Sequence, residues 1–131
     1  MIAYCVRCWR ELPRGTVVCP GCGADVEALS RERTYVDKLI AALEHPEPET
    51  PVRAAWLLGQ LRATDALPAL IRVVEHTSDP YLAEAAVEAL GRIGDVTARP
   101  VLERAARDGA LRVRQAAERA LGRLAHAPGD W

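Results

Sequence analysis

Apolar residues recur through residues 34–125 at spacings of three and four, the period of helices that turn one face to a core. In the last of these stretches Val113, Ala116, Ala117, Ala120, Leu121 and Leu124 fall on one side. The pattern resolves into three copies of one unit, aligned on Gly59, Gly91 and Gly122, which stand 32 and 31 residues apart. A second set keeps step with the glycines. Thr34, Asp65 and Thr97 are expected N-caps. Three residues on come Asp37, Pro68 and Pro100, and Pro is tolerated in a first helical turn. Leu39, Leu70 and Leu102 then correspond, as do Leu43, Val74 and Ala106. Each unit is therefore expected to be a helix pair, with A helices near 34–45, 65–76 and 97–107 and B helices near 51–62, 80–93 and 110–125. Thr50-Pro51 and Asp79-Pro80 suit the start of a B helix. No pair can bury its stripe alone, so neighbours must stack into an all-α solenoid. The glycine after each B-helix Leu is read as permitting close helix approach or a bend.

The front of the chain obeys a different pattern. All four cysteines lie in the first 22 residues, as Cys5-Val-Arg-Cys8 and Cys19-Pro-Gly-Cys22. A two-residue spacer lets a tight turn aim both sulfurs at one point, and two facing turns complete a tetrahedron of thiolates. The start MIAYCVRCWR lacks the layout of a secretion signal, so the reading is cytoplasmic, and there such pairs are metal ligands more often than disulfides. One structural Zn²⁺ on Cys5, Cys8, Cys19 and Cys22 is expected; iron in a rubredoxin-like site and thiol redox cycling are the alternatives. Four thiolates leave no position for a bound water, which argues against hydrolytic chemistry. Gly21 and Gly23 suit a second turn that needs positive φ. The arrangement Cys5–Cys8/Cys19-Pro20-Gly21-Cys22-Gly23 resembles the zinc ribbon family over residues 1–28. The resemblance implies short β arms around Val6–Trp9 and Gly15–Val18.

The expected organisation is a zinc ribbon at 1–29, three repeats at 30–126 (about 30–62, 63–94 and 95–126) and a tail at 127–131. The junction from Leu29 to Arg33 has no Pro or Gly, and Ser30 is expected to start the first A helix early, so that the ribbon caps the N-terminal end of the repeats.

Composition narrows the function. Half of the 131 residues are apolar, aromatics are 5%, and Phe is absent, so the core must be Ala, Leu, Val and Ile, which suits close helix packing. No apolar run approaches the roughly 18 residues that cross a membrane. Ala, Arg and Leu richness without Asn points to a GC-rich or heat-adapted bacterium. Net charge is −1, but it is unevenly spread: residues 37–95 hold five basic and ten acidic side chains, residues 99–123 seven basic and three acidic.

The stretches RAAWLLGQL, EAAVEALGRIGDVTARPVL and RQAAERALGRLA resemble HEAT-like repeats of the phycobilisome-lyase type over about residues 34–125. That resemblance implies a short right-handed solenoid whose B helices line a concave surface. The family includes bilin lyases, an iron-dependent hydroxylase of deoxyhypusine and many bacterial proteins that serve as binding scaffolds. The hydroxylases carry His-Glu pairs ahead of the Ala-rich B stretch; here Val52-Arg53, Glu84-Ala85 and Gln115-Ala116 stand there. The reversed pairs Glu44-His45 and Glu75-His76 close successive A helices, where His favours the dipole; a metal bridge between repeats is the sharper alternative, weakened by Arg107-Asp108 in the third unit. Ser30 and Ser78 sit in no triad-like constellation, and no phosphate loop is present. The expectation is a non-enzyme, with a bilin lyase-like or metal-dependent hydroxylase-like enzyme as the remote alternative.

On the B helices, Val52, Trp56 and Gln60, then Tyr81, Glu84, Glu88 and Arg92, then Arg112, Gln115, Arg119 and Arg123 point away from the apolar stripe. A large aromatic beside charge has the composition of an interaction hot spot. Trp56, Tyr81, Glu84, Glu88, Arg112, Arg119 and Arg123 are the candidate partner-binding residues of a protein-interaction adaptor. The competing reading has Trp56 filling a seam and the charges pairing between repeats. Nucleic acid is the alternative partner: Trp9 offers a stacking ring, but Arg7, Arg10 and Arg14 are balanced by Glu11, Asp25 and Glu27, and the acidic middle repels phosphate. Three repeats are near the lower limit of stability, so self-association is a further expectation.

Overall fold

The computed structural model describes residues 2–5, 7–26 and 34–125. A two-stranded antiparallel ribbon comes first, β1 (Ile2–Tyr4) and β2 (Glu11–Pro13), in a register that pairs Ala3 with Leu12. Six described helices follow as three pairs: α1 (Tyr35–Ala42) with α2 (Glu49–Gln60), α3 (Leu67–His76) with α4 (Pro80–Ile93), and α5 (Arg99–Asp108) with α6 (Leu111–Ala125). They stack as an all-α solenoid in which α2, α4 and α6 form a continuous row. No described helix is long and apolar enough to cross a membrane. The expected early helix start at Ser30, the junction Leu29 to Arg33 and the tail at 127–131 lie outside the described residues.

The strands are not where the ribbon resemblance put them. The stretch Val6–Trp9 does not extend: residues 7 and 8 form the turn, and Trp9 has φ 61, which no strand tolerates. Val6 itself lies outside the described residues. β1 and β2 flank that turn, and of the second expected arm only Val18 makes a β-bridge, to Asp25.

Helix starts follow local hydrogen bonding. Thr34 and Asp37 form a reciprocal capping box, Asp37 N–H to Thr34 Oγ1 at 3.1 Å and Thr34 N–H to Asp37 Oδ2 at 3.3 Å. Asp79 Oδ1 accepts from Tyr81 N–H at 2.9 Å and starts α4. Asp65 and Thr97 do not act as caps. Each sits in a single 3₁₀ turn, Thr64–Ala66 and Val96–Ala98, that leads into α3 and α5, and Asp95 accepts from Thr97 N–H. Thr50-Pro51 also falls inside its helix, which begins at Glu49; Pro51 is accommodated because first-turn amides have no partner within the helix.

Leu58, Leu70, Leu90, Leu102 and Leu124 are fully buried, each contributing about 1.5–3 kcal/mol by removal from water. The two inner glycines close the B-row seams. A Cβ on Gly59 would stand 2.8 Å from Ala89 Cα, and one on Gly91 2.9 Å from Ala120 Cα. Gly122 has nothing within 4 Å of that position, since no described helix packs against that face.

The third unit differs from its predecessors on its outward side. Val36 and Leu67, then Ile40 and Ile71, pack against the core, whereas the matching Arg99 and Glu103 are exposed. On the B helix, buried Pro51 and Ala83 give way to exposed Arg114, and buried Ala55 and Val87 to exposed Glu118. Charges of both signs thus stand at four positions that are apolar and packed against the core in the earlier units, which leaves this face of α5–α6 polar.

Candidate functional site

The four cysteine sulfurs lie within 4.8 Å of one another. Both turns close in the same way. Trp9 N–H donates to Cys5 C=O at 2.8 Å and Cys5 N–H to Arg10 C=O at 3.0 Å; Gly23 N–H donates to Cys19 C=O at 2.8 Å and Cys19 N–H to Ala24 C=O at 2.9 Å. The fourth residue after each leading cysteine takes positive φ, 75° at Gly23 and 61° at Trp9. Gly21 does not; it lies instead under the Arg10 side chain. The nearest sulfurs face each other across the two turns, Cys8–Cys19 at 3.5 Å and Cys5–Cys22 at 3.6 Å. A tetrahedral zinc with bonds of about 2.3 Å sets its sulfurs about 3.8 Å apart, so the donor set fits such an ion.

Electrostatics agree with the geometry. Burial pushes the Cys19 thiol up, but the backbone amides of Cys22 and Gly21 and the neighbouring thiols outweigh it and bring the group down to about 6. At Cys22 the Ala24 amide lowers the thiol, while desolvation and the three neighbouring sulfurs carry it up to about 11. One sulfur ionises readily and thereby opposes ionisation of the next, and a bound cation would offset that repulsion and favour the thiolates.

This module rests on the turn between α1 and α2. His45 sits between two aromatic rings, 4.4 Å from Tyr4 and 4.8 Å from Trp9. Its Nδ1 accepts from Glu47 N–H at 3.1 Å, and Tyr4 Oη donates to Glu47 Oε1 at 2.9 Å. His45 is therefore an anchor for the cysteine module, in place of the helix-end role expected of it.

On the B row the structure brings together Trp56, Tyr81, Glu84, Glu88 and Arg112, which with Glu49, Arg53 and Asp79 line an open groove of about 650 Å³. Trp56 is 52% exposed and Tyr81 59%, so Trp56 does not fill a seam. Arg112 is not a free cation. Its Nη1 donates to Glu84 Oε2 at 2.7 Å, its guanidinium stacks 4.5 Å over Tyr81, and that carboxylate raises its pKa. Arg119 donates to Glu88 at 3.4 Å. Arg119 and Arg123 join Glu88 and Arg92 around a second, small hollow of about 90 Å³. Arg92 was legible from its register, one residue after Gly91 as Arg123 is after Gly122.

A family model described as HEAT repeats matches residues 36–122. No curated protein matches the chain. Among solved structures it is similar to a chain in the complex of CpcE and CpcF of phycocyanin lyase from Nostoc sp. PCC7120, with 30% identity and a TM-score of 0.65 over 70% of this chain. The match spans 38% of that chain. This finding overturns the expectation of a non-enzyme, since the similar chain belongs to a lyase. The expectation rested on the lack of a self-contained catalytic motif, and a protein that acts as a complex of two chains need not carry one in either.

Proposed function

The chain belongs to the HEAT-repeat family, and from that premise we propose that it is a small repeat scaffold that pairs with another protein chain along the ledge of α2, α4 and α6. The observation that carries this is the groove walled by exposed Trp56 and Tyr81. Two large aromatics at the centre of a concavity, ringed by charge, are costly to leave in water and have the anatomy of a binding hot spot. In this reading residues 1–29 are a zinc ribbon whose ion is held by Cys5, Cys8, Cys19 and Cys22, residues 30–126 are the three repeats, 127–131 are a tail, and the protein works in a bacterial cytoplasm. The zinc is structural: four thiolates fill its coordination, and the fold gained by binding it fixes Tyr4 and Trp9 against His45.

Affinity capture of the tagged chain from its native host tests this. The parent should retain a stoichiometric partner that Trp56→Ala/Tyr81→Ala loses while its far-UV circular dichroism stays unchanged; equal retention by both rejects the ledge.

The similarity to one chain of a two-chain lyase favours a second reading on the same surface, in which pairing completes a lyase-type site over the groove. A phycocyanin lyase assay of the purified pair separates the two.

A further inference from the structure

The basic end of the ledge differs chemically from the groove beside it. Around the small hollow stand three guanidinium groups, Arg92, Arg119 and Arg123, against one carboxylate, Glu88. Arg119 is engaged, at 3.4 Å, by that carboxylate. Arg92 and Arg123 have neither a hydrogen bond nor an ion pair among the described residues, and Arg92 is half-buried. Their stems are held in place by the B-row glycines. Arg92 Cδ lies 3.5 Å from where a Cβ on Gly59 would stand, and Arg123 Cδ 3.6 Å from the same point on Gly91. The glycines that let the helices approach thus also seat the arginine stems of the following helix. A half-buried guanidinium without a partner, beside a second one held alongside it, is a preorganised receptor for a bidentate anion. The hollow's 90 Å³ is about three water molecules' worth at roughly 30 Å³ each, the scale of a single carboxylate.

We propose that Arg92 and Arg123 seat one acidic side chain of a partner protein whose neighbouring apolar side chain fills the groove between Trp56 and Tyr81; this rests on the ledge reading above and gives the partner a chemistry. The two hollows share Glu88 as a wall. The groove floor at Glu84–Ala85 and the arginine seat at Gly91 are about six residues apart along α4, roughly 9 Å at 1.5 Å per residue. The order is directional. Glu49, Asp79, Glu84 and Glu88 outnumber Arg53 and Arg112 along the aromatic groove, and with Glu84 paired to Arg112 and Glu88 to Arg119 it is Glu49 and Asp79 that disfavour a second acid there. They equally disfavour a nucleic acid strand, whose evenly spaced phosphates would have to cross them. The occupant is thus a segment with an apolar anchor followed, about 9 Å on, by a single carboxylate.

The test is selection of a displayed random heptapeptide library on the full-length, zinc-loaded chain, with Arg92→Gln/Arg123→Gln and Trp56→Ala run in parallel and all three checked for equal helicity. The parent should select peptides that pair an aromatic or long aliphatic residue with Asp or Glu. The double Arg variant should bind those peptides about tenfold more weakly, the loss expected when charge-assisted hydrogen bonds are removed, and Asn in place of the acid should cost the parent the same. Selected peptides without acid enrichment, yet lost on Trp56→Ala, overturn the carboxylate seat and leave the ledge reading standing. Peptides selected equally well on Trp56→Ala reject the ledge itself. Failure to select any peptide overturns the proposal, as does a mixed-sequence oligoribonucleotide that binds with steep salt dependence and is lost in the double Arg variant.

Discussion

The indole of Trp9 lies 4.8 Å from the imidazole of His45, joining a turn of the cysteine module to the first helical pair. Trp9 reaches that position with φ 61, the conformation that Gly23 supplies at the equivalent point of the second turn. The backbone of the metal turn would be easier with glycine at residue 9; the contact with His45 is what the tryptophan provides in return. Trp9→Gly should therefore hold zinc at least as tightly as the parent in a chelator competition, and should loosen the junction, which then rests on Tyr4 against His45 and Glu47. Zinc affinity lowered tenfold or more would mean that the ring serves the metal turn instead.

Removing the metal should be felt in the helices. Aromatic pairs contribute about 0.5–1.5 kcal/mol each beyond their buried area, and 1 kcal/mol shifts the melting of a domain this size by about 4–8 °C. Chelation should lower the helical melting temperature of the parent by an amount of that order and that of His45→Ala by less, since among the described junction contacts only the Tyr4–Glu47 hydrogen bond then joins the two modules. Circular dichroism melts at 222 nm with and without chelator measure both.

The B-row glycines separate packing from propensity. Gly91→Ala would place a methyl 2.8 Å from Ala120 Cβ and should destabilise the chain by about 1–3 kcal/mol, the range for overpacking. Gly122→Ala meets nothing within 4 Å and should stabilise it by about 0.5–1 kcal/mol through helix propensity alone. Urea unfolding of the two variants should move in opposite directions.

Tyr4 reports on the junction by titration. Its hydrogen bond to Glu47, with burial and the charges of Glu47 and Glu11, carries the phenol from the ordinary 10 up to about 12. The neutral phenol is the form the junction favours, so its contribution is complete below pH 10 and is lost as the pH rises through 10 to 12. Absorbance at 295 nm, with Tyr4→Phe to assign the transition, should show Tyr4 ionising near pH 12, and Glu47→Gln should bring it down.

Much of this architecture was legible in the chain. Glycines in register and recurring leucines gave three helix pairs, and α4 runs over the expected residues 80–93. Helix starts were less legible, since Asp65 and Thr97 look like caps but lie within 3₁₀ turns that lead into the helices. The strands were misplaced because two cysteines at close spacing consume the intervening residues in a turn. The polar face of the third unit could have been read by aligning Arg99, Glu103, Arg114 and Glu118 with the apolar residues of the earlier units. Pattern offered pairing between repeats only as the competing reading, and which charges pair, Arg112 with Glu84 and Arg119 with Glu88, came from the structure. The likeness to a chain of a lyase complex was out of reach of a search for catalytic motifs, because it lies in the repeat fold.

The most direct test of the proposed role is hydrogen–deuterium exchange of the zinc-loaded chain alone and bound to its captured partner. The account predicts slowed exchange in α2, α4 and α6 around Trp56, Tyr81 and Arg92, with α1, α3 and α5 unaffected. Protection confined to the A helices or to the cysteine module would contradict it.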